Sequence, residues 1–422
     1  MSGGLGGPGM RRIKTVVTKI GSGKTPNGGG RSYQDDGVMF LRSQNVHFAG
    51  LRLDDVAFIG EDVHREMRAS CVLSGDVLLN ITGASLGRVA RVPDNFGEAN
   101  VNQHVCIIRP GAGVDCRFLA YALSSSNVQE QIAALQMGGN RDGLNFEQVG
   151  NLAIPLPSET SKQERIADFL DAELASVDAL VGAKMRQIAL LHERREAIVA
   201  SRVSELCNDH GSVPLRRIWL GIEQGWSPQC DDAEADRDNW AVLRTSAVSS
   251  GRFDPLAHKR LPVDVQPDLR YVINDGDLLL TRGSGSAAMV GVAAVADTDG
   301  RRLLLSDLLY RVRLQPGWPS GLVASVIGSR PAREQISLLL RGQSGQTIKL
   351  RGQDVGEILI PCVPPDRRGA IAAEIAVTST SHVSAARKIE NSLALLHERR
   401  RALITAAVTG RLDLPAAWEA VA

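Results

Sequence analysis

Aromatic residues are scarce. Phenylalanine, tryptophan and tyrosine make up 4% of the 422 residues, too few for a protein that binds single strands by stacking base after base on rings. Net charge is scarce too: 48 Lys and Arg against 47 Asp and Glu leave +1. Contact with a polyanion must then come from local basic surfaces or from partners that add phosphate contacts. The six cysteines (Cys71, Cys106, Cys116, Cys207, Cys230 and Cys362) include no Cys-X-X-Cys pair and no matched histidine spacing. That pattern speaks against a metal site or a disulfide framework and fits a reducing cytoplasm. The eight histidines form no His-Glu-X-X-His. No apolar run reaches the roughly 18 residues of a membrane span, and the glycine-rich residues 1–10 lack a signal core and read as a disordered leader. What remains is ordinary globular chain, 43% hydrophobic and 23% charged, long enough for about two to three domains.

What the sequence does have is an internal duplication with a period of about 200 residues, far beyond the 20 to 50 of a solenoid. Leu41-Arg42-Ser43 and Val46 correspond to Leu243-Arg244-Thr245 and Val248. Gly75-Asp76-Val77-Leu78-Leu79 matches Gly276-Asp277-Leu278-Leu279-Leu280, and Gly139, Leu144, Val149-Gly150, Ile154 and Pro155 match Gly345, Leu350, Val355-Gly356, Ile360 and Pro361. Ala189-Leu-Leu-His-Glu-Arg-Arg195 recurs without change as Ala394-Leu-Leu-His-Glu-Arg-Arg400. The order of the blocks is the same in both copies. Two whole domains of one kind in one chain make a covalent pseudo-dimer with two similar but non-identical surfaces.

Each copy begins with short apolar runs between Gly, Asp, Asn and Pro, the punctuation of strands. They are Val38–Leu41, Asp76–Leu79 and Val105–Arg109 in the first copy, and Trp240–Leu243, Asp277–Leu280 and Tyr310–Leu314 in the second. Phe118 to Leu135 and Gly321 to Leu340 read as helices packed on those sheets, which gives an α+β domain. Each copy then turns helical. Ser161-Lys-Gln-Glu164 is a capping-box pattern, followed by apolar positions at Ile166, Leu170, Leu174, Val177, Val181, Ile188, Leu191 and Ile198. In the second copy Asp366 is the expected N-cap, and the stripe runs through Ile371, Ile375, Val383, Ile389, Leu393, Leu396 and Leu403. A spacing near 3.5 is a coiled-coil seam, and a helix of roughly 40 residues spans about 60 Å. The fold expected is α+β, with two pseudo-symmetric mixed domains separated by two long antiparallel coiled-coil helices. The competing reading is two unrelated amphipathic helices, each on its own core. Expected boundaries are 1–10 (leader), 11–157 (first mixed domain), 158–207 (first long helix), 208–363 (second mixed domain), 364–410 (second long helix) and 411–422 (tail).

Several stretches invite catalytic readings. Gly21-Ser-Gly-Lys-Thr25 lacks the leading glycine of a P-loop, since Thr18 stands there, and Pro26 with Gly28-Gly-Gly30 forbids the helix that would cradle phosphates. It reads as a polar loop against DNA backbone or an ordinary surface turn. No Pro-Asp…(Asp/Glu)-X-Lys carboxylate cluster appears: after Pro93-Asp94, Glu98 is followed by Ala99-Asn100 with no lysine.

Taken in order, Gly21-Ser-Gly-Lys-Thr-Pro26, Leu41-Arg-Ser-Gln-Asn45, Gly75-Asp-Val-Leu-Leu79, Asn102-Gln-His104, Leu152-Ala-Ile-Pro-Leu-Pro157, Gln163-Glu-Arg-Ile166, Leu191-His-Glu-Arg-Arg195 and Ala406-Ala-Val-Thr-Gly410 resemble the specificity subunits of Type I restriction-modification enzymes. The resemblance covers about Ile13 to Leu414. It implies a non-catalytic subunit with two target-recognition domains, each reading half of a split, asymmetric DNA target. It also implies paired helices that act as a ruler and dock two methyltransferase subunits. S-adenosylmethionine and ATP belong to the partners, which methylate adenine at N6 or, as restriction subunits, translocate and cut. No cofactor, metal or catalytic residue is expected on this chain, and no Asn-Pro-Pro-aromatic run exists to grip an extruded adenine. The second copy departs from the pattern: Gly221 to Cys230 has no Gly-Ser-Gly-Lys-Thr-Pro, and Thr245-Ser-Ala replaces Ser43-Gln-Asn.

For base reading the candidates are Lys24, Arg42, Ser43, Asn45, Arg88, Asn140 and Arg141 in the first copy, and Arg244, Arg282, Gln343, Gln346 and Lys349 in the second. Arginine can fork onto guanine, and Asn or Gln onto adenine. For partner docking they are His192, Glu193, Arg194 and Arg195, with His397, Glu398, Arg399 and Arg400. The bland reading of those charges is a solvated helix face with i,i+4 ion pairs. Two other functional classes stay open at this level: a methyltransferase or nuclease with an unrecognised centre, and a coiled-coil adaptor without DNA contact.

Overall fold

A computed structural model describes residues 9–136, 143–340 and 347–412. It falls into two compact units, Met1–Met185 with Glu390–Ala422, and Arg186–Ile389.

In the first unit a four-stranded antiparallel sheet has the order Val17–Ser22, Val105–Pro110, Val77–Asn80, Val89–Arg91. Val77, Leu78 and Leu79 are all fully buried, because this sheet is covered on both faces and so needs a continuous apolar run rather than alternation. Val77, Leu79, Val89, Cys106 and Ile108 point to the helices Cys116–Ser124 and Ser126–Ala134. Leu78, Ala90, Val105 and Ile107 point to a three-stranded sheet of Ala57–Ile59, Val38–Leu41 and Ala99–Val101. Met10–Arg12 pairs with Ala153–Pro155, so Met10, expected in a disordered leader, is part of a strand.

The second unit repeats this plan. Its four-stranded order is Trp219–Gln224, Leu309–Leu314, Leu278–Thr281, Ala293–Val295; its three-stranded sheet is His258–Arg260, Trp240–Leu243, Arg302–Leu304. Ser212–Pro214 pairs with Leu359–Pro361, as the first strand of the other unit pairs with its last. The single helix expected in each domain is broken at the same place. Ser125 (φ −67, ψ 149) separates Cys116–Ser124 from Ser126–Ala134, and Ser329 (φ −71, ψ 152) separates Ser320–Gly328 from Arg330–Leu339. Each serine hydroxyl donates back to the carbonyl three residues earlier, Ala122 or Val326, a local bond that competes with helix continuation.

The first long helix runs Thr160–His210, 51 residues, and the second Pro365–Val408, 44 residues. The first is not tied down by the expected Ser161 capping box. Gln163, 1% exposed, donates to the carbonyls of Pro157 and Gly113 and accepts from the Asp115 amide. Asp366 lies inside the first turn of the second helix, with Pro365 at its start, so it is not an N-cap. Proline suits that position because its missing N–H has no intrahelical partner there.

Within the first unit Ile166, Leu170 and Leu174 share a core with Ile404, Ala407 and Val408. Within the second, Val203 and Leu206 share one with Ile371 and Ile375; Arg202 pairs with Glu374 at 3.0 Å, and Arg367 meets His210 at 3.4 Å. Position rises along one helix as it falls along the other, so the pairing is antiparallel. Ile198, expected on the seam, is 39% exposed; Val199, Val203 and Leu206 carry the seam there. Among the described residues no helix is long and apolar enough to cross a membrane.

Candidate nucleic-acid interface

Gly23 is where the first mixed domain builds its rim. Its N–H donates to the Asn102 carbonyl (3.1 Å), and a Cβ at this position would lie 1.6 Å from the Val101 oxygen. Only glycine lets the two segments approach so closely. The strand Val17–Ser22 runs into this contact and continues as coil, with no helix at Lys24, so Gly21–Thr25 is not a phosphate loop. The approach sets Thr25 against Gln103: Thr25 Oγ1 donates to Gln103 Oε1 at 2.6 Å. The Gln103 amide NH2 then faces His104 Nε2 at 3.0 Å, which leaves the imidazole proton on Nδ1, 2.6 Å from Thr82 Oγ1.

Asn80 joins a second segment to the same place. Its Nδ2 donates to the Ser43 carbonyl (2.7 Å), while its backbone pairs with Gly87 and Arg88 across the Gly83–Ser85 turn. The result is a cleft of about 390 Å³ lined by Ser43, Gln44, Thr82, Gly83, Ala84, Ser85, Arg88 and His104. Among the described residues, half-buried Arg88 has no ion pair and no side-chain hydrogen bond, and the same holds for exposed Lys24 and Arg52. Burial first, then the charges of Arg52 and Arg88, hold the nearby His47 imidazole below its usual pKa. Among the residues that line the cleft, Arg88 carries the one permanent charge.

Strand register identifies the equivalent positions in the second domain. Gly225 replaces Gly23, where a Cβ would lie 2.1 Å from the Leu305 oxygen. Ser227 donates to Asp307 as Thr25 does to Gln103. Thr281 pairs with Gly291 and Val292 as Asn80 does with Gly87 and Arg88. The backbone agrees and the side chains do not. Arg88 becomes Val292, His104 becomes Leu308, Lys24 becomes Trp226, and the turn Gly83–Ser85 becomes Ala287–Met289 with Met289 47% exposed.

The residues singled out from sequence divide accordingly. Ser43 and Arg88 line the first cleft, and Lys24 is exposed on the neighbouring loop. Asn45 is 2% exposed; its Oδ1 accepts from the Arg42 amide and its Nδ2 donates to the Arg52 carbonyl, so it shapes the turn and cannot reach a base. Arg42 lies over the Tyr33 ring and donates to the Asp55 carbonyl, a structural role. In the second domain Arg282 turns inward to Tyr310 (3.2 Å) and the Asp307 carbonyl (3.3 Å), and Arg244 is held by the His258 carbonyl and Asp232. Lys349 sits in a strand opposite Gly283. Asn140, Arg141, Gln343 and Gln346 lie outside the described residues. Thr82, Gln103 and His104 went unnoticed as site residues. The Asn102-Gln-His104 run was visible, but only the fold brings it to Thr82 and Thr25.

On the long helices His192, Glu193, Arg194, His397, Glu398 and Arg399 are exposed. Arg400 is not. Its side chain is 11% exposed, pairs with Asp178 at 3.4 Å and donates to the Phe48 carbonyl at 2.8 Å, so it ties helix to mixed domain rather than facing a partner. Arg195, its counterpart, is half-buried. Leu190 and Leu395, equivalent positions of the repeated motif, are 62% and 65% exposed.

Comparison with known proteins gives one consistent answer. Residues 11–188 match the Type I restriction modification DNA specificity domain. The chain is 23% identical over 403 residues to the Type I restriction enzyme EcoKI specificity subunit of Escherichia coli (strain K12), covering 92% of this chain and 84% of that one. It is 23% identical over 292 residues to the StySPI specificity subunit of Salmonella potsdam, covering 67% and 62%. A solved chain from a type I R-M system shares the fold with a TM-score of 0.61 at 14% identity, over 96% of this chain and 98% of that one. Duplicated mixed domains, duplicated long helices and these matches agree: the chain carries a Type I restriction modification DNA specificity domain over residues 11–188 and is similar along nearly its whole length to Type I restriction enzyme specificity subunits.

Proposed function

We propose that this chain reads DNA sequence for a Type I restriction-modification complex. Its two mixed domains act as target-recognition domains, each taking one half of a split target. Its long helices carry the docking faces for two methyltransferase subunits. The observation that carries this reading is that the positions around the first-domain cleft recur in the second domain with the same backbone contacts and different side chains. A symmetric homodimer reads a palindrome; a duplicated chain whose copies have diverged reads two different half-sites. The chain itself supplies no catalytic group. S-adenosylmethionine and ATP bind to the partners, restriction subunits complete the assembly, and the work is done in the cytoplasm.

The test is to purify the chain with its methyltransferase subunit and map N6-methyladenine on random-sequence DNA. Two short specified segments separated by a fixed unspecified gap are expected. Methylation at one contiguous motif would rule out two independent readers. The isolated chain is expected to show no S-adenosylmethionine binding by calorimetry; tight binding would point to a catalytic centre of its own.

A further inference from the structure

The two domains present different side chains at equivalent positions around the first-domain cleft. In the first, hydrogen-bond direction is fixed by a relay. Thr25 donates to Gln103, Gln103 donates to His104 Nε2, and His104 Nδ1–H donates to Thr82 Oγ1. Thr82 thus accepts from inside, and its own hydroxyl proton is left for an acceptor outside. Among the described residues the second N–H of the Gln103 amide, beside the cleft, meets no acceptor, and the guanidinium fork of Arg88, in the cleft wall, has no partner. Gln44, on the opposite wall, spends its amide nitrogen on Asp55. That leaves the Gln44 amide oxygen as an acceptor, set against the donors of the Arg88 guanidinium and the Thr82 hydroxyl. Among base edges in the major groove only guanine presents two adjacent acceptors, N7 and O6, with no donor; adenine and cytosine each bring an amino group, and thymine brings a methyl.

We infer that the first recognition domain reads a guanine with Arg88 and the Thr82–His104–Gln103 relay, and that the second domain, with Met289, Val292 and Leu308 at the equivalent positions, reads a thymine through its methyl group. The second half of this inference stands on its own observation. Where the first domain has Arg88, His104 and Ser85, the second has apolar side chains, and its turn exposes Ala287, Ala288 and Met289. Apolar surface matches the thymine C5-methyl and has nothing to give guanine. Both assignments rest on the sequence-reading role proposed above.

The experiment uses the complex with its methyltransferase subunits and the target found by methylation mapping. Arg88→Ala is expected to relax discrimination at one guanine of one half-site by about 5- to 150-fold, the range of one good bidentate contact, with the other half-site unchanged. Replacing that guanine by 7-deazaguanine in the DNA should weaken binding to the unaltered protein in the same way, which keeps the test valid should Arg88→Ala fold poorly. Replacing a thymine of the other half-site by deoxyuridine, which lacks only the methyl, should weaken binding, and Met289→Ala should remove that dependence. Equal loss of methylation on all sequences would make Arg88 a phosphate contact and overturn the guanine assignment, as would relaxation at any other base or no change. Indifference to deoxyuridine at every thymine would overturn the second assignment. A wild-type complex that methylates no bipartite target would instead sink the reading role itself.

Discussion

Asp76 and Asp277 occupy the same Gly-Asp turn, after glycines with φ of 84° and 88°, yet they hold different arginines. Asp76, 1% exposed, accepts from the Leu73 amide and receives Arg109 at 2.7 Å. Asp277 accepts from the Asn274 amide and receives Arg311 at 3.2 Å. Arg311 stands where strand register puts Ile107 in the first domain, so the second domain buries a cation and needs Glu223 beside it as well. Asp76→Ala leaves the Leu73 amide and Arg109 without their partner, and a loss of about 3 kcal/mol is expected, measured by urea denaturation. For Glu223, burial would raise the carboxyl, but hydrogen bonds from Arg313 and Arg311 outweigh it and hold the group below its ordinary value of 4.5. A depressed carboxylate stabilises the fold above its unfolded pKa and loses that contribution as pH falls through its folded one. The melting temperature should therefore drop on acidification below about 4.5, less steeply in Glu223→Gln, a difference that pH-resolved calorimetry reads. The Gly-Asp turn was legible because glycine and aspartate each do one local job there. Asn45 and Arg42 were misread for the opposite reason: polar residues in a turn look alike in sequence whether they face water or close the turn from inside.

At the scale of elements, the two central strands of each four-stranded sheet were legible as apolar runs and the outer ones were not, while the long helices were legible as a periodic stripe without proline. The breaks at Ser125 and Ser329 were not, since serine is tolerated in a helix and only its bond back to Ala122 or Val326 shows that the chain leaves it. The cleft was half legible. Ser43 and Arg88 could be chosen as polar turn residues, but the relay joins Thr25, Thr82 and His104 across more than one strand, and no local pattern announces it. The repeated motif on the helices has a clearer message than charge alone. Leu190 and Leu395 are exposed at equivalent positions, and a fully buried leucine is worth about 1.5–3 kcal/mol. Leu190→Glu or Leu395→Glu should each weaken one methyltransferase docking event by about 10- to 150-fold at unchanged helix content. The double substitution should leave the chain without partners in mass photometry. Retention of two partners by the double variant would move the docking face elsewhere.

For the whole molecule, duplication followed by divergence separates two tasks. The folding determinants stayed paired: Gly23 with Gly225, Asp76 with Asp277, Leu144 with Leu350, each making the same backbone contact in its own domain. The side chains at the positions equivalent to the first cleft differ, as Arg88 and Val292 show, and on the proposed reading a chain that takes two half-sites gains nothing from keeping them alike. Each long helix contributes one stretch to either unit, with the change at Met185 in the first and Ile389 in the second. If this length sets the distance between half-sites, lengthening both helices must lengthen the gap. Four residues inserted after Met185 and after Lys388 add about 6 Å of helix, close to two base pairs at about 3.4 Å each. They also turn the seam about 40° past a full rotation. Seven residues, a whole heptad, keep the seam in phase and add about 10.5 Å, close to three base pairs. Methylation mapping should then find the same two half-sites with a gap longer by about two or three positions. An active complex with its original gap would show that spacing is fixed by the docked subunits and not by the helices of this chain.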